Sequence, residues 1–196
     1  MKVLVVYSHP VEGSYASALR DRVLAGLKAG GHEARLNDLY ADGFRPELSA
    51  WERTNHLAAP DTKPEIATYA ADLQWCEALV LVYPTWWSGQ PGMLKGWIDR
   101  VWVTGVAYDL PEGSNRIRPR LKNIRRIVAV TTHGSSKLIN TLQGEGGKRV
   151  VTRGLRVLCN PLTRTKWVAL YRIDGCTAAD REAFLAKAER TMQRLR

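Results

Sequence analysis

The stretch ALVLVYPTWWSGQPGMLKGWIDRVWVTGVAYD, from Ala78 to Asp109, decides the fold. It opens with a continuous apolar run over Ala78 to Tyr83, a pattern that predicts a strand buried on both faces of a parallel sheet. Pro84 ends the run, and apolar residues recur at spacings of three and four after Pro91, which predicts an amphipathic helix. These apolar positions are Leu94, Trp97, Ile98, Val101 and Trp102. The stretch therefore predicts a strand, a loop and a helix of an α/β protein.

The loop after this strand carries two indoles and two hydroxyls, from Thr85, Trp86, Trp87 and Ser88. In open α/β sheets, ligands bind in the crevice outside the carboxyl ends of the strands. The two tryptophans could be core aromatics or a platform for a large flat ligand. Because the flanking strand and helix are already rich in apolar residues, the core does not need both indoles. We favour the ligand platform.

The same residues resemble a known family. Val82 to Trp87, VYPTWW, and Pro91 to Val101, PGMLKGWIDRV, are similar to segments of the flavodoxin-like NAD(P)H:quinone oxidoreductases. That family includes animal quinone reductases, bacterial modulator-of-drug-activity proteins and the ancillary reductases of glutathione-gated potassium efflux. Weaker similarity extends over nearly the whole chain. The resemblance implies a single domain over residues 1–196, with a three-layer α/β/α flavodoxin-like fold and five parallel strands in the order 2-1-3-4-5.

Composition limits the classes of protein to which the chain can belong. The chain has 196 residues, of which 45% are hydrophobic. None of its apolar runs approaches the roughly 20 residues that span a bilayer, and the apolar start of MKVLVVYSHP is too short for a signal-peptide core. The three cysteines, Cys76, Cys159 and Cys176, show no CxxC spacing. We therefore expect a cytoplasmic protein with reduced thiols, no metal site and no stable membrane insertion.

The net charge of +10 is concentrated in one block. Arg116 to Lys166 contains thirteen Lys/Arg against one acid, Glu145, a balance of +12 that leaves −2 for the rest of the chain. Such a block can bind nucleic acid, an anionic membrane or a phosphorylated small molecule, or can simply be solvated. No nucleic-acid-binding motif accompanies it. We therefore expect no nucleic-acid partner.

The first loop has the features of a phosphate site. Lys2 to Tyr7 is predicted to be a strand and Tyr15 to Ala29 a helix that Ser14 caps. A helix N-terminus presents free N–H groups and a positive dipole to an anion. The predicted phosphate-binding residues are Ser14, Tyr15, Ala16 and Ser17. His9 could add a donor or bond a nearby backbone group, and the resemblance to the family's flavin-phosphate loop favours the donor.

The remaining elements follow from periodicity and capping. The sequence predicts further strands over Glu33–Leu39, Ile124–Thr132 and Lys166–Tyr171, a helix over Pro64–Trp75 capped by Thr62, and a final helix from Thr177 to Arg196. The glycine-rich segment Leu138 to Val151 is predicted to be mobile rather than helical.

The resemblance also implies a set of flavin-binding residues. Beyond the phosphate loop and His9, these are Pro84, Thr85, Trp86, Trp87, Ser88, Thr131, Thr132, His133, Gly134 and Ser135. Trp87 and Tyr108 are the implied substrate-binding residues. His133 stands where relatives carry glycine, so it is either a catalytic hydrogen-bonding residue or turned to solvent. Ile139 and Glu145 stand where animal quinone reductases have a tyrosine and a histidine that assist hydride transfer, so that detail is not expected to transfer.

Three functions follow from these patterns. The first is a flavin-dependent reductase, with FMN or alternatively FAD, that takes hydride from NADPH or NADH and passes two electrons to a quinone-like acceptor by a ping-pong mechanism. The second is a regulatory flavin-binding subunit that docks to a membrane transport protein. The third, a hydrolase, lacks a G-x-S-x-G elbow. We expect the first.

Two further expectations concern assembly and the electron donor. A homodimer is expected, with Trp97, Trp102 and Tyr108 supplying its apolar surface. The arginines between Arg116 and Arg156 are expected to favour NADPH through its extra phosphate.

Overall fold

A five-stranded parallel sheet lies at the centre of the structure, a computed structural model that describes residues 1–57, 64–111, 113 and 116–196. In chain order the strands are β1 (Lys2–Tyr7), β2 (Glu33–Asp38), β3 (Ala78–Pro84), β4 (Tyr108–Asp109), β5 (Arg118–Pro119), β6 (Arg126–His133) and β7 (Arg164–Tyr171). The central sheet has the order β2-β1-β3-β6-β7, and β4 and β5 form a separate antiparallel pair. The predicted order 2-1-3-4-5 is therefore confirmed.

Helices cover both faces of the sheet. They are α1 (Tyr15–Ala29), α2 (Ala50–Thr54), α3 (Ala67–Trp75), α4 (Gly92–Val101), α5 (Lys137–Leu142), α6 (Gly146–Arg149) and α7 (Ala178–Gln193). Short 3₁₀ turns span Pro64–Ile66, Arg156–Leu158 and Ile173–Gly175, and a π-helical turn spans Val150–Leu155. The predicted final helix ends at Gln193 instead of Arg196, and Thr62 lies outside the described residues.

Alternate residues of the strands build two separate cores. Val3, Val5 and Tyr7 of β1 face α1 and α7, whereas Leu4 and Val6 face α3 and α4. α1 and α7 pack so closely that a Cβ on Gly26 would overlap the carbonyl oxygen of Glu189. Because both faces of β1, β3 and β6 are covered, the backbone is open to ligands only at the strand ends.

The structure contradicts two predictions, the mobility of Leu138 to Val151 and the dimer surface formed by Trp97 and Trp102. Leu138 to Val151 is largely helical, because its glycines let it pack closely against the loop after β3: Gly147 donates its N–H to the carbonyl oxygen of Ser88 at 3.0 Å. Trp97 and Trp102 do not supply a dimer surface, since they are 0% and 6% exposed and pack edge to face inside the subunit. In both cases contacts distant in sequence decide the outcome.

The cysteines are free thiols, with Cys76 and Cys159 buried. Burial raises the pKa of each of these two thiols to about 12, which makes them unreactive at neutral pH. Within the described residues no helix has the length and apolar character to cross a membrane, and no cluster of side chains could hold a metal ion.

Candidate cofactor site

Three loops meet at the carboxyl edge of the sheet. The phosphate loop, residues 8–17, follows β1. The tryptophan loop, residues 85–89, follows β3. The histidine loop, residues 133–136, follows β6. Register pairs Tyr7 with Val82 and Pro84 with Thr132, so the three strands end almost level with one another.

The tryptophan loop is a tight turn that projects an indole into solvent. Thr85 donates its N–H to the carbonyl oxygen of Thr132 at 2.8 Å, and the backbones of Trp86 and Gly89 bond each other at 3.0 and 3.2 Å. Trp87 has a φ of 48° and Ser88 a φ of 60°, and the Trp87 side chain is fully exposed. A non-glycine residue in this conformation costs free energy, so the turn is held by its surroundings.

Residues in and around helices α5 and α6 hold the tryptophan loop in this conformation. The Ser88 hydroxyl donates to the side-chain oxygen of Gln143 at 2.7 Å. The side-chain amide of Gln90 donates to the carbonyl oxygen of Gly147 at 2.7 Å. Together with the bond from Gly147 to Ser88, these contacts fix the tryptophan loop against the helical segment that follows the histidine loop.

Backbone strain is concentrated at this edge. Within the described residues, the non-glycine residues with positive φ are Trp87, Ser88, Glu145 and Arg172. Glu145 directly precedes α6, and Arg172 donates its N–H to the carbonyl oxygen of Ser135 in the histidine loop at 3.2 Å. Strained residues accumulate at functional sites, because a fold retains them where the geometry is needed.

The phosphate loop is prepared for an anion. The Ser14 hydroxyl accepts the N–H of Ser17 at 3.2 Å, whereas the N–H groups of Tyr15 and Ala16 have no partner within the helix. His9 Nδ1 lies 3.2 Å from both the N–H and the carbonyl oxygen of Val11, and 3.0 Å from the Ser14 hydroxyl. Nδ1 is therefore engaged within the phosphate loop, and the tautomer decides whether it donates or accepts.

His133 turns inward. It is 6% exposed and stacks on Tyr171, with ring centroids 4.7 Å apart and planes inclined by 17°. Nε2 lies 3.5 Å from the Thr85 hydroxyl, and Nδ1 has no partner in the described part of the chain. Burial lowers the pKa of His133 and outweighs the opposing influence of Asn140 and Glu145, so the ring is neutral at neutral pH. The solvent-facing alternative is wrong.

A cavity of about 300 Å³ opens between the tryptophan and histidine loops, a size within the range of small-molecule sites. Its lining includes six residues predicted for the site: Thr85, Trp87, Ser88, His133, Gly134 and Ser135. Asn140 and Gln143 also line it and were missed by the sequence analysis, because they lie on the segment predicted to be mobile.

The other predicted residues hold the loops or flank the cavity. Thr131 is fully buried and its hydroxyl lies 3.0 Å from that of Thr85, so it supports the tryptophan loop from behind. Trp86, in the tryptophan loop, lies beside the phosphate loop, with its ring centroid 6.3 Å from that of His9. Tyr108 is partly buried in β4 and does not line this cavity.

The two positions at which the sequence departs from the animal quinone reductases have other roles here. Ile139 is exposed on α5, and Glu145 forms an ion pair with Lys148 at 2.8 Å. A much smaller cavity of about 10 Å³, lined by His133, Glu145, Lys148 and Trp167 among others, lies beneath the tryptophan loop.

A family model described as a flavodoxin-like fold matches residues 1–195. The chain belongs to the flavodoxin-like family. Among solved structures, Smu.1420 from Streptococcus mutans is similar at 27% identity with a TM-score of 0.84, and each chain covers 100% of the other. An NAD(P)H:quinone oxidoreductase from Methanothermobacter marburgensis is similar at 25% identity with a TM-score of 0.83, over 100% of this chain and 99% of that one.

Curated relatives of this flavodoxin-like protein include NAD(P)H dehydrogenase [quinone] 1 from Rattus norvegicus, which is 28% identical over 162 residues. That match covers 74% of this chain and 58% of the relative. The matches span between 49% and 65% of the length of the first curated relatives.

The residues at the carboxyl edge of this flavodoxin-like protein fit a flavin. The Ser8 hydroxyl is fully buried and, among the described residues, has no partner. Ser8 begins the phosphate loop, which leads to the N-terminus of α1, where the N–H groups of Tyr15 and Ala16 have no partner within the helix. The exposed indole of Trp87 and the unpartnered Nδ1 of His133 offer a flat apolar surface and a hydrogen-bonding group, which suit a heteroaromatic ring system.

Proposed function

We propose that the protein is an FMN-dependent NAD(P)H oxidoreductase that passes two electrons to a quinone or a similar acceptor. The observation that carries this proposal is one shared edge. An exposed tryptophan and a buried neutral histidine line a cavity of about 300 Å³ there, and the phosphate-type N-terminus of α1 follows the neighbouring strand β1 at the same edge. Bound flavin supplies the hydride chemistry, and the protein supplies binding, orientation and electrostatics.

Each loop has a distinct task in this proposal. The N–H groups of Tyr15 and Ala16, with Ser14, Ser17 and His9, bind the phosphate. Pro84 to Ser88 form the surface against the flavin ring, with the indoles of Trp86 and Trp87 excluding water from one side. Thr131 and Thr132 fix the height of that loop, and His133, Gly134 and Ser135 offer hydrogen bonds to the polar edge of the ring. His133, being neutral, can donate or accept there without adding a charge.

The charges near the phosphate loop support FMN over the alternative FAD. Arg20 is bonded to Glu12 at 2.8 Å, Asp21 at 2.9 Å and Asp38 at 3.2 Å, so one guanidinium faces three carboxylates. This cluster lies one helical turn beyond Ser17. Because these carboxylates already engage the guanidinium, Arg20 offers no free cation to the second phosphate that FAD would bring.

The basic block is split by the fold, which changes the proposed basis for NADPH preference. Arg125 and Arg126 lie at the start of β6, at the opposite edge from the site, so they cannot contact a nucleotide bound there. Lys148 and Arg149 instead follow Gly147, which touches the tryptophan loop. We assign the extra phosphate of NADPH to Arg149, because Lys148 is paired with Glu145. NADH remains the alternative donor.

A homodimer remains part of the proposal, on a different surface. Leu138 and Leu142 are highly exposed on one face of α5, and Trp87 is fully exposed near them. Exposed apolar residues grouped around a ligand site mark a surface that a partner covers. A second copy would cover these residues and could bring its Tyr108 to the acceptor pocket.

Flavin loading and steady-state kinetics test the function. The purified protein reconstituted with FMN should absorb near 450 nm, roughly the usual flavin band. It should oxidise NADPH with a soluble quinone and give parallel double-reciprocal lines, because donor and acceptor share one open flavin face. Failure to retain any flavin contradicts the proposal. Flavin retention without turnover would favour the regulatory subunit, and intersecting lines would exclude the shared face.

The Arg149→Gln variant tests the phosphate contact. Loss of a charge-assisted hydrogen bond should lower kcat/KM for NADPH by about 10- to 150-fold and leave kcat/KM for NADH unchanged. Arg53→Gln, an exposed arginine on α2, is the matched control. Equal losses with both nucleotides would contradict the assignment.

A further inference from the structure

A second charged surface lies at the amino-terminal edge of the sheet, opposite the cofactor site. Arg126 begins β6 and Arg164 begins β7, and the parallel register places them side by side. His133 lies seven positions after Arg126 along β6, a distance of about 23 Å at the usual rise per residue. With Arg125, these arginines line a shallow cavity of about 360 Å³ whose other lining residues are Asn160 and Leu162.

This surface has cations without balancing carboxylates. No acidic residue lines the cavity, and among the described residues Arg125, Arg126 and Arg164 form no ion pair. An adjoining cavity of about 280 Å³ shares Arg126 and Arg164 and adds Lys166, Arg194 and Arg196. Like charges on adjacent strands destabilise a sheet. The side-by-side arginines therefore lower the stability of the sheet, with no evident benefit to the fold.

In the described part of the chain, bonds within the fold engage Arg126 but not the guanidinium groups of Arg125 and Arg164. Arg126 donates to the backbone carbonyl oxygen of Arg125 and to an oxygen of Arg196, the last residue of the sequence. Glu77 accepts the N–H of Arg125 through its backbone carbonyl, but its carboxylate accepts the N–H of Lys2 at 2.9 Å. Arg125 and Arg164 are thus exposed, and among the described residues neither forms an ion pair.

A leucine projects from the same surface on a firmly built loop. Leu162 is 82% exposed, and Val157 is 63% exposed in the preceding turn. The loop is fixed by bonds from the Leu162 N–H to the Asn160 side chain at 3.0 Å and from the Thr163 hydroxyl to Ile124 at 2.7 Å. Arg156 adds a bond to the carbonyl oxygen of Thr163 at 2.7 Å. The exposure of Leu162 is therefore imposed by the fold.

We propose that this surface, formed by Arg125, Arg126, Arg164 and Leu162, docks the protein on an anionic lipid membrane. Guanidinium groups bind lipid phosphates, and an apolar side chain among them enters the boundary between headgroups and acyl chains. Nucleic acid fits less well, since the described residues that line the two cavities include no aromatic side chain on which bases could stack. Docked in this way, the protein would keep its cofactor edge turned toward water.

Vesicle cosedimentation of the full flavin-loaded chain tests the proposal. It should bind phosphatidylcholine vesicles that contain phosphatidylserine, bind phosphatidylcholine alone far less, and lose affinity as salt is added. Each cation near the surface contributes a factor of about five. Arg125→Gln with Arg164→Gln should therefore weaken binding roughly 25-fold, whereas Arg53→Gln with Arg181→Gln, which changes the same charge elsewhere, should have little effect.

The apolar contribution has its own control. Leu162→Ser should weaken vesicle binding several-fold without changing its salt dependence, whereas Leu48→Ser, an exposed leucine elsewhere, should not. Thermal unfolding of each variant confirms that it is folded. Equal binding to neutral and anionic vesicles, no binding to either, or equal effects of the surface and control variants would each overturn the proposal. Binding to single-stranded oligonucleotides but not to vesicles would overturn it in favour of nucleic acid.

Discussion

The two ends of β6 lie at opposite edges of the parallel sheet and carry different chemical groups. At the carboxyl end, His133 is buried, neutral and stacked, and the loops around it hold strained residues in place by hydrogen bonds. At the amino end, Arg126 lies beside Arg164, and the described residues that line the cavity around them include no acidic side chain. The first edge uses backbone geometry and neutral groups, and the second uses charge. A basic block that is continuous in sequence thus belongs to two different surfaces.

If the carboxyl edge binds the phosphate of FMN, a substitution there should weaken FMN binding, whereas a matching substitution elsewhere should not. Ser14→Ala removes the cap of α1 and a proposed phosphate ligand, and Thr177→Ala removes the matching cap of α7. Both should lower the free energy of unfolding by about 1 kcal/mol. Only Ser14→Ala should weaken FMN binding, by roughly 10- to 150-fold. Urea unfolding and fluorescence titration measure the two effects, and equal FMN affinities in the two variants would remove the phosphate site.

Trp87 should matter for the ligand and not for folding, because its side chain is fully exposed. Trp87→Ala should raise the Kd for FMN by about 5- to 150-fold, the usual range for loss of one stacking contact. The thermal midpoint of the flavin-free protein should not change. Trp51→Ala, a partly exposed tryptophan on α2, controls for general effects of removing an indole. A destabilised flavin-free protein with unchanged FMN affinity would assign Trp87 to the core instead.

His133 should make stability depend on pH at the carboxyl edge. Burial lowers its pKa in the folded protein, so the unfolded chain binds the proton more readily. Stability is then complete above the unfolded pKa of about 6.5 and decreases as the pH falls below it. One such group contributes a slope of at most about 1.4 kcal/mol per pH unit.

His133→Gln should flatten this slope in urea unfolding experiments across the acidic range. Burial also lowers the pKa of His32, beside the amino terminus, so part of the slope should persist in His133→Gln and decrease further when His32 is replaced as well. At lower pH a slope should remain in both variants, because the burial of Glu52 is outweighed by hydrogen bonds that lower its pKa. A slope that His133→Gln leaves unchanged would show that the ring is accessible to protons in the folded protein.

The smallest effect is expected at the amino edge. Arg164→Glu would turn the pairing with Arg126 from like to opposite charges, and should raise the free energy of unfolding by about 0.2–1 kcal/mol. The gain should shrink with added salt, because the pair is near the surface. Urea unfolding at low and high salt measures both. A loss of stability at low salt would mean that these arginines already have a stabilising partner.

Much of the carboxyl edge could be predicted because its signals are local. The apolar run of β3, the proline that ends it and the capped start of α1 each lie within a few residues, and the strand order followed from the family resemblance. Asn140 and Gln143 could not be predicted, since glycines indicated mobility there. In the structure those glycines allow close packing: the Cα of Gly89 would lie 3.1 Å from a Cβ on Gly147.

The orientation of His133 and the division of the basic block between two surfaces also could not be predicted from residues near them in sequence. Whether a histidine at a strand end faces inward depends on Tyr171 and Trp167, which come from another strand. The separation of Arg126 from Arg149 depends on the direction in which β6 crosses the sheet. Both are properties of strand pairing, which residue patterns within one segment do not contain.

Calorimetric titration of the flavin-free protein with FMN and with riboflavin tests the central claim most directly. If the N-terminus of α1 binds the flavin phosphate at the carboxyl edge, FMN should bind at one site per chain. Riboflavin, which lacks only the phosphate, should bind at least about 10-fold more weakly. Equal affinities for FMN and riboflavin, or no heat of binding with either, would contradict the account.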